Sequence, residues 1–208
     1  FFRNTGSASA PAYTQEGGNT PFGIPDVGRD AVPSFADADA DGDLDLFIGE
    51  RLGKTYFYRN TGSASAPAYI LERGNTPQGS VSTLIPDVDS FPHPSIADID
   101  DDGDLDLFIG ERWGKTLFFR NTGSASAPAY TQEGGNTPFG IADVGSGATP
   151  TLADSDGDGD LDLFIGNNDG NTLFFRNTAA TPVAPVNATT ANGSYGIGDV
   201  INLTVGFS

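Results

Sequence analysis

Three aspartate-rich stretches have the residue types and spacing of a cation site. Residues 37–45, 98–106 and 154–162 each carry carboxylates at positions 1, 3, 5, 7 and 9, with glycine at position 6. The run DGDLDLFIG is identical in the three copies. Ca²⁺ binds about 6–8 oxygen ligands, which alternate residues of a curled loop can present together. Gly42 and its two equivalents can adopt the positive φ that such a turn needs. The pattern predicts three calcium sites.

The candidate ligands are the fifteen aspartates at the odd positions of these loops: Asp37, Asp39, Asp41, Asp43, Asp45, Asp98, Asp100, Asp102, Asp104, Asp106, Asp154, Asp156, Asp158, Asp160 and Asp162. The spacing differs from an EF-hand, which requires a glutamate at position 12, where this chain has isoleucine. The alternative is a solvated acidic turn, and three copies with one spacing argue against it.

The composition limits the classes of partner. The chain has 28 acidic residues and a net charge of −18, and over half of the acidic residues lie in the three loops. Nucleic acid binding requires basic patches, so we expect no nucleic acid partner. No apolar run approaches the roughly 20 residues of a membrane-spanning helix, so we expect no membrane insertion. Cysteine is absent, which leaves bound cations as the available cross-link.

Internal repeats organise the chain. RNTG begins at Arg3, Arg59 and Arg120, a related RNTA begins at Arg176, and residues 1–24 are identical to 118–141. The chain contains no methionine and begins with phenylalanine, so we expect a fragment or a processed form. Abundant Gly, Pro, Ser, Thr and Asn without helical periodicity predict an all-β fold.

Each repeat is predicted to form four antiparallel strands, at 33–36, 44–50, 54–60 and 68–71 in the first complete copy. Leu44, Leu46 and Ile48 are predicted to share one strand face, as are Tyr56 and Tyr58. Four strands in a repeat of this length are typical of a β-propeller blade. The predicted fold is therefore an incomplete propeller of such blades.

The predicted segments follow the repeats. They are the tail of a preceding blade and a linker (1–30), two blades with calcium loops (31–91 and 92–147), a partial blade with a calcium loop (148–178), and a linker followed by the start of an Ig-like or cadherin-like β domain (179–208).

Residues 33–49, followed by an aromatic strand and Arg-Asn-Thr-Gly, resemble the FG-GAP/VCBS repeat family. That family includes the calcium-bearing blades of integrin α-type propellers and many large secreted bacterial proteins. The resemblance covers roughly residues 1–178. It implies calcium between the first two strands of each blade, bound by the side chains at positions 1, 3, 5 and 9 and the main-chain oxygen at position 7. Carried over, that oxygen belongs to Asp43, Asp104 and Asp160.

Few other residues suggest chemistry, and we predict no catalytic site. His93 is the only histidine, so a structural or surface role is expected. Glu50 and Glu111, each followed by arginine, are expected to form salt bridges at the rim. Trp113, like the tyrosines, could stack on sugars but is expected to belong to the core.

The sequence is interpreted as a calcium-stabilised repeat module of a secreted or cell-surface bacterial protein, acting in adhesion or extracellular structure. One alternative is a non-catalytic, carbohydrate-binding part of a secreted polysaccharide-active enzyme. Another is a subunit of an extracellular filament. The expected partners are further copies, joined through open strand edges into a homo-oligomer or filament, or a glycan or cell-surface protein ligand.

Overall fold

A computed structural model describes residues 2–74 and 82–178 and shows an all-β protein. The strands are β1 (Phe2–Asn4), β2 (Tyr13–Gln15), β3 (Val32–Ala36), β4 (Asp45–Gly49), β5 (Thr55–Asn60), β6 (Tyr69–Leu71), β7 (Arg73–Gly74), β8 (Ser82–Thr83), β9 (His93–Ala97), β10 (Asp106–Gly110), β11 (Thr116–Asn121), β12 (Tyr130–Glu133), β13 (Thr149–Ala153), β14 (Asp162–Gly166) and β15 (Thr172–Phe175). Short 3-10 turns lie at Pro21–Gly23 and Pro138–Gly140. No helix in the described part is long and apolar enough to cross a membrane.

The sheets follow the repeats. Strands β3–β6 form the first sheet, β9–β12 the second and β13–β15 the third, and neighbouring strands are antiparallel and consecutive in the chain. Two-stranded hairpins form from β1 with β2 and from β7 with β8. The predicted all-β fold with four-stranded, propeller-type sheets is confirmed, and the described sheets form no closed barrel. The Ig-like segment predicted for 179–208 lies outside the described residues.

The three sheets have the same register, which gives each of them two distinct faces. Phe47 is opposite Phe57 in the first sheet, and Phe108 is opposite Phe118 in the second. Because side chains alternate along a strand, the leucine and isoleucine of each LFI run lie on the other face. We call these the phenylalanine face and the leucine face.

Neighbouring sheets pack phenylalanine face to leucine face. Phe47 and Phe57 of the first sheet share a buried cluster with Leu107 and Ile109 of the second. A second cluster joins the phenylalanine face of the second sheet to the leucine face of the third. Burial on both faces explains why the strands read as continuous apolar runs.

The predicted common face of Leu44, Leu46 and Ile48 is wrong at Leu44. Strand β4 begins at Asp45, and Leu44 lies in the preceding loop with 54% of its surface exposed. Leu46 and Ile48 are buried together with Tyr58, against Ile24 of the segment before β3. Leu44 belongs to the loop, where its carbonyl oxygen accepts a hydrogen bond from the Tyr69 hydroxyl at 3.2 Å.

The first strands of consecutive sheets lie side by side, since β9 contacts both β3 and β13. The glycines that end the first two DLFIG runs lie at this approach. An ideal Cβ on Gly49 would be 2.0 Å from the Pro92 carbonyl oxygen, and one on Gly110 would be 2.2 Å from that of Ala148. Both glycines therefore allow two backbones to meet.

Candidate metal centre

Each aspartate loop joins the first two strands of a sheet. The first loop connects β3 to β4, the second β9 to β10 and the third β13 to β14. Within each loop, three carboxylates offer oxygens that lie within 4.8 Å of one another. The members are Asp37, Asp39 and Asp45; Asp98, Asp100 and Asp102; and Asp154, Asp156 and Asp158.

Positions 1 and 3 converge in every loop, and the third member of the group varies. It is position 9 in the first loop and position 5 in the second and third. Asp41, Asp106 and Asp162 are therefore predicted ligands that lie outside these tight groups. The position 7 carboxylates also lie outside them, and the resemblance implied only the main-chain oxygen there.

Backbone amides hold the position 1 carboxylate in place. Asp37 Oδ1 accepts a hydrogen bond from Asp41 N at 3.1 Å, and its Oδ2 accepts one from Gly42 N at 3.0 Å. Asp98 makes the equivalent bonds in the second loop. The predicted positive φ of the position 6 glycine is present in all three loops, at 92° for Gly42, 87° for Gly103 and 96° for Gly159.

Position 4 of the loop is also left-handed, which the sequence analysis missed. Ala40 has a φ of 58° and Asp101 a φ of 57°, and the third loop has Gly157 with a φ of 79°. The left-handed region is strained for a residue with a Cβ. Gly157 could have indicated this conformation in the sequence, because glycine at position 4 of the third loop suggests a left-handed φ there. The other two loops adopt the same φ with a strained residue.

The position 9 carboxylate ties the loop to the third strand of its sheet. In the first repeat, Asp45 Oδ1 accepts a hydrogen bond from Asn60 N at 2.7 Å, and Oδ2 accepts one from Ala38 N at 3.0 Å. The bond to the asparagine amide recurs from Asn121 to Asp106 at 2.8 Å and from Asn177 to Asp162 at 2.9 Å. The order of the loop is thereby coupled to the order of the sheet.

These bonds explain the asparagine of the RNTG motif, a residue for which the sequence analysis gave no role. The Asn60 side-chain oxygen accepts hydrogen bonds from Gly62 N at 3.0 Å and Ala68 N at 2.9 Å. Asn121 does the same for Gly123 and Ala129. One residue thus closes the loop between the third and fourth strands and donates its own amide to the aspartate loop.

Several loop carboxylate oxygens are buried without a hydrogen-bond partner. They include Oδ1 of Asp39, Oδ1 of Asp104 and Oδ2 of Asp106. Burial raises the pKa of Asp106 to about 6, against the hydrogen bond from Asn121, and Asp100 adds to the increase by repulsion. Burial also raises the pKa values of Asp45 and Asp104.

A buried carboxylate oxygen without a hydrogen-bond partner disfavours the charged form of the group unless positive charge nearby compensates it. The first two loops are therefore suited to a hard divalent cation. The third differs, because the Ser155 hydroxyl donates to Asp162 and lowers the pKa of that carboxyl.

Glu50 and Glu111 do not pair with the neighbouring arginines as predicted. Buried Glu50 accepts hydrogen bonds from Leu52 N at 3.0 Å and Lys54 N at 3.4 Å and so closes the turn between β4 and β5. Glu111 lies 3.7 Å from Lys115. In the third repeat, Asn167 Oδ1 accepts the amides of Asp169 and Asn171. Glu50 and Asn167 thus accept backbone amides of the turn, whereas both carboxylate oxygens of Glu111 are buried without a hydrogen-bond partner.

Within the described ranges, the histidine and the aromatic residues considered in the sequence do not form a catalytic site. His93 begins β9, where burial lowers its pKa. Tyr56 and Tyr58 lie side by side on the leucine face of the first sheet, as predicted for the core. The core assignment is wrong for Trp113, which is 58% exposed on the turn after β10.

The fold and the loops define a repeat protein of stacked, propeller-type sheets with an acidic loop in each. The model of the FG-GAP-like repeat matches residues 37–109 and 98–165, more than half of the chain. The chain therefore belongs to the FG-GAP-like repeat family, which confirms the predicted resemblance. Repeats of this family are generally structural and non-catalytic, are typical of extracellular proteins and often bind calcium. A search of curated proteins finds no match.

Proposed function

We propose that this chain is a calcium-stabilised repeat module of a secreted or cell-surface bacterial protein, acting in adhesion or as an extracellular structural component. The observation that carries the proposal is the convergence of three carboxylates within 4.8 Å of one another in each acidic loop. In the first loop, the converging Asp39 also has a buried oxygen without a hydrogen-bond partner. Membership of a family that is generally structural supports a non-catalytic role. The alternative of a carbohydrate-binding part of a secreted enzyme has a weaker basis, the exposed Trp113.

In the first loop, Asp37, Asp39, Asp41 and Asp45 would hold the ion together with the main-chain oxygen of Asp43. The second and third loops would use the equivalent residues. Each loop holds more carboxylates than one arginine can balance, and bound Ca²⁺ would supply the further positive charge. One oxygen of Asp45 accepts the Ala38 amide of the loop, and the other accepts the Asn60 amide of β5. An ion bound to Asp45 would therefore stabilise both the loop and the sheet.

Calcium titration is expected to reveal three sites, and Asp102→Asn is expected to remove one of them. The position 5 carboxylate lies in the tight group of the second loop, and an amide replaces a charged ligand with a neutral one. The third site should be the weakest, because its three grouped carboxylates are exposed and Ser155 already satisfies Asp162. Isothermal titration calorimetry gives the stoichiometry.

Asp101→Asn is the matched control for this experiment. Asp101 is the neighbouring residue, at position 4, with its φ in the left-handed region that asparagine also tolerates. The substitution removes the same charge, so three sites should remain. Three sites in the Asp102→Asn protein, or two in the control, would contradict the ligand assignment.

We further propose that copies of the chain associate head to tail. The phenylalanine face of the third sheet has no sheet packed on it among the described residues, and Phe174 is 45% exposed there. Its equivalents Phe57 and Phe118 are fully buried against the leucine face of the next sheet. The leucine face of the first sheet is covered by Ile24, and the equivalent residues Ile85 and Ile141 lie in the clusters that join neighbouring sheets. The first sheet of a second copy, with Ile24 packed on it, would therefore present an equivalent surface.

Calcium is expected to promote this association, because three bound ions would reduce the net charge from −18 to about −12. Light scattering with and without calcium measures it. Phe174→Ser should abolish assembly, whereas Trp113→Ser, at an exposed aromatic outside the sheet faces, should not. A monomer under both conditions would rule out the proposed contact.

A further inference from the structure

We propose that the arginine of the RNTG motif is a positioning residue for the cation site of its own repeat. Arg59, Arg120 and Arg176 would each hold one oxygen of the position 3 aspartate so that the other oxygen faces the ion. This inference rests on the proposed calcium binding and adds a function for residues that lie outside the loops.

The first repeat shows the arrangement most completely. Arg59 Nη1 donates to Asp39 Oδ2, and Arg59 Nε donates to Glu72 Oε1 at 2.8 Å. The side chains of Arg59 and Asp39 are 14% and 13% exposed. Asp39 Oδ1 is buried and has no hydrogen-bond partner. One oxygen of the carboxylate is therefore fixed by the arginine, and the other is left for a ligand bond.

The contact recurs in the other two repeats. Arg120 bonds Asp100 through Nη1 and Glu133 through Nε, the latter at 3.0 Å. Arg176 pairs with Asp156 in the third repeat. The arginine side chain is 26% exposed in the second repeat and 49% in the third. The contact between the arginine and the position 3 aspartate thus occurs three times, with an arginine side chain that is progressively more exposed. The bond to a glutamate accompanies it in the first two repeats.

The strand fixes the position of the guanidinium. Arg59 lies on the same face of β5 as Phe57, and its guanidinium carbon is 5.6 Å from the centre of that ring. Glu72 accepts a hydrogen bond from Nε of the same guanidinium and provides a second negative charge beside it. The planar guanidinium can bond both carboxylates at once, a geometry that lysine cannot reproduce.

The N-terminal hairpin has the arginine–glutamate contact without an aspartate loop beside it. Arg3 bonds Glu16 through Nε at 2.8 Å, as Arg59 bonds Glu72, but no aspartate loop belongs to the described β1–β2 hairpin. The pairing of arginine with glutamate is therefore a feature of the hairpin itself. In the three repeats that have an aspartate loop, the arginine also contacts an aspartate of that loop.

The test compares Arg59→Lys with Arg3→Lys. Both substitutions preserve charge, and only the first changes the support of a loop. The amides of Gly42, Gly103 and Gly159 each report one loop in a heteronuclear NMR calcium titration. Loss of a group that orients a ligand typically weakens metal binding by about 10–100-fold. We expect Arg59→Lys to raise the Kd reported by Gly42 about 10-fold and leave the other two unchanged, and Arg3→Lys to change none.

A second readout distinguishes orientation from general loosening of the fold. If Asp39 turns away, a water molecule takes its place on the ion. Luminescence lifetimes of bound Tb³⁺ in H₂O and D₂O count such waters, and the average should rise in Arg59→Lys but not in Arg3→Lys. If Arg59→Lys does not fold, Arg176→Lys provides the same comparison at the more exposed pair, reported by Gly159.

Unchanged or tighter calcium binding in Arg59→Lys would overturn the inference, since the arginine would then act only as a counter-charge or a competitor. Unchanged Tb³⁺ hydration would also overturn it. Absence of calcium binding in the parent protein would instead refute the proposed function, so the two failures are distinguishable.

Discussion

Removal of calcium with excess chelator is expected to lower the melting temperature by at least about 15 °C. A ligand that binds only the folded state stabilises it by about 2.7 kcal/mol per site at 100 times its Kd, so three sites supply about 8 kcal/mol. In a chain of this size, each kcal/mol shifts the melting temperature by about 2–4 °C. The physical cause is repulsion among the carboxylates that lie within 4.8 Å of one another in each empty loop.

Circular dichroism or calorimetry, with chelator and then with calcium restored, measures this shift. A magnesium arm at the same concentration is the control, because Mg²⁺ requires a tighter octahedral geometry and loses its water reluctantly. Calcium should restore the transition and magnesium should restore much less of it. An unchanged melting curve in excess chelator would mean that the loops are stable without a cation.

The features predicted correctly from the sequence are those set by neighbouring residues. The strands follow from short apolar runs between turn residues, and the left-handed Gly42 follows from the spacing of the aspartates around it. The three identical copies distinguish a ligand loop from an acidic turn, because a pattern repeated three times with one spacing seldom arises by chance.

The features that were missed depend on contacts between residues distant in the chain. Arg59 meets Asp39 across twenty positions, and Asn60 meets Asp45 across fifteen. No local pattern reports which acceptor these side chains reach. The burial of both faces of a sheet depends on the sheets that pack against it, and the sequence of one repeat does not reveal them. For this reason the sequence predicts a salt bridge at the rim for Glu50, which instead lies in a buried turn.

The last glycine of DLFIG is expected to tolerate no side chain where another sheet covers it. An ideal Cβ on Gly110 would lie 2.2 Å from the Ala148 carbonyl oxygen and 2.5 Å from Pro150 Cδ, well inside van der Waals contact. Both atoms belong to the region where the third sheet begins, and the backbone cannot rotate away as a side chain can. Gly110→Ala should therefore force the second and third sheets apart and reduce the free energy of unfolding by about 3 kcal/mol.

Gly166→Ala is the matched control, because it is the same residue of the same motif in the third sheet. Its ideal Cβ would meet only Thr149 Oγ1, at 2.7 Å, and that hydroxyl can rotate. Neither glycine has a left-handed φ, so alanine should leave stability within about 0.5 kcal/mol or raise it slightly by restricting the unfolded chain. Urea unfolding in saturating calcium compares the two proteins. Equal losses of unfolding free energy in the two variants would mean that the glycine is required by contacts within its own sheet and not by the neighbouring sheet. A loss in Gly166→Ala that appears only at high protein concentration would show that a second copy covers the third sheet in solution.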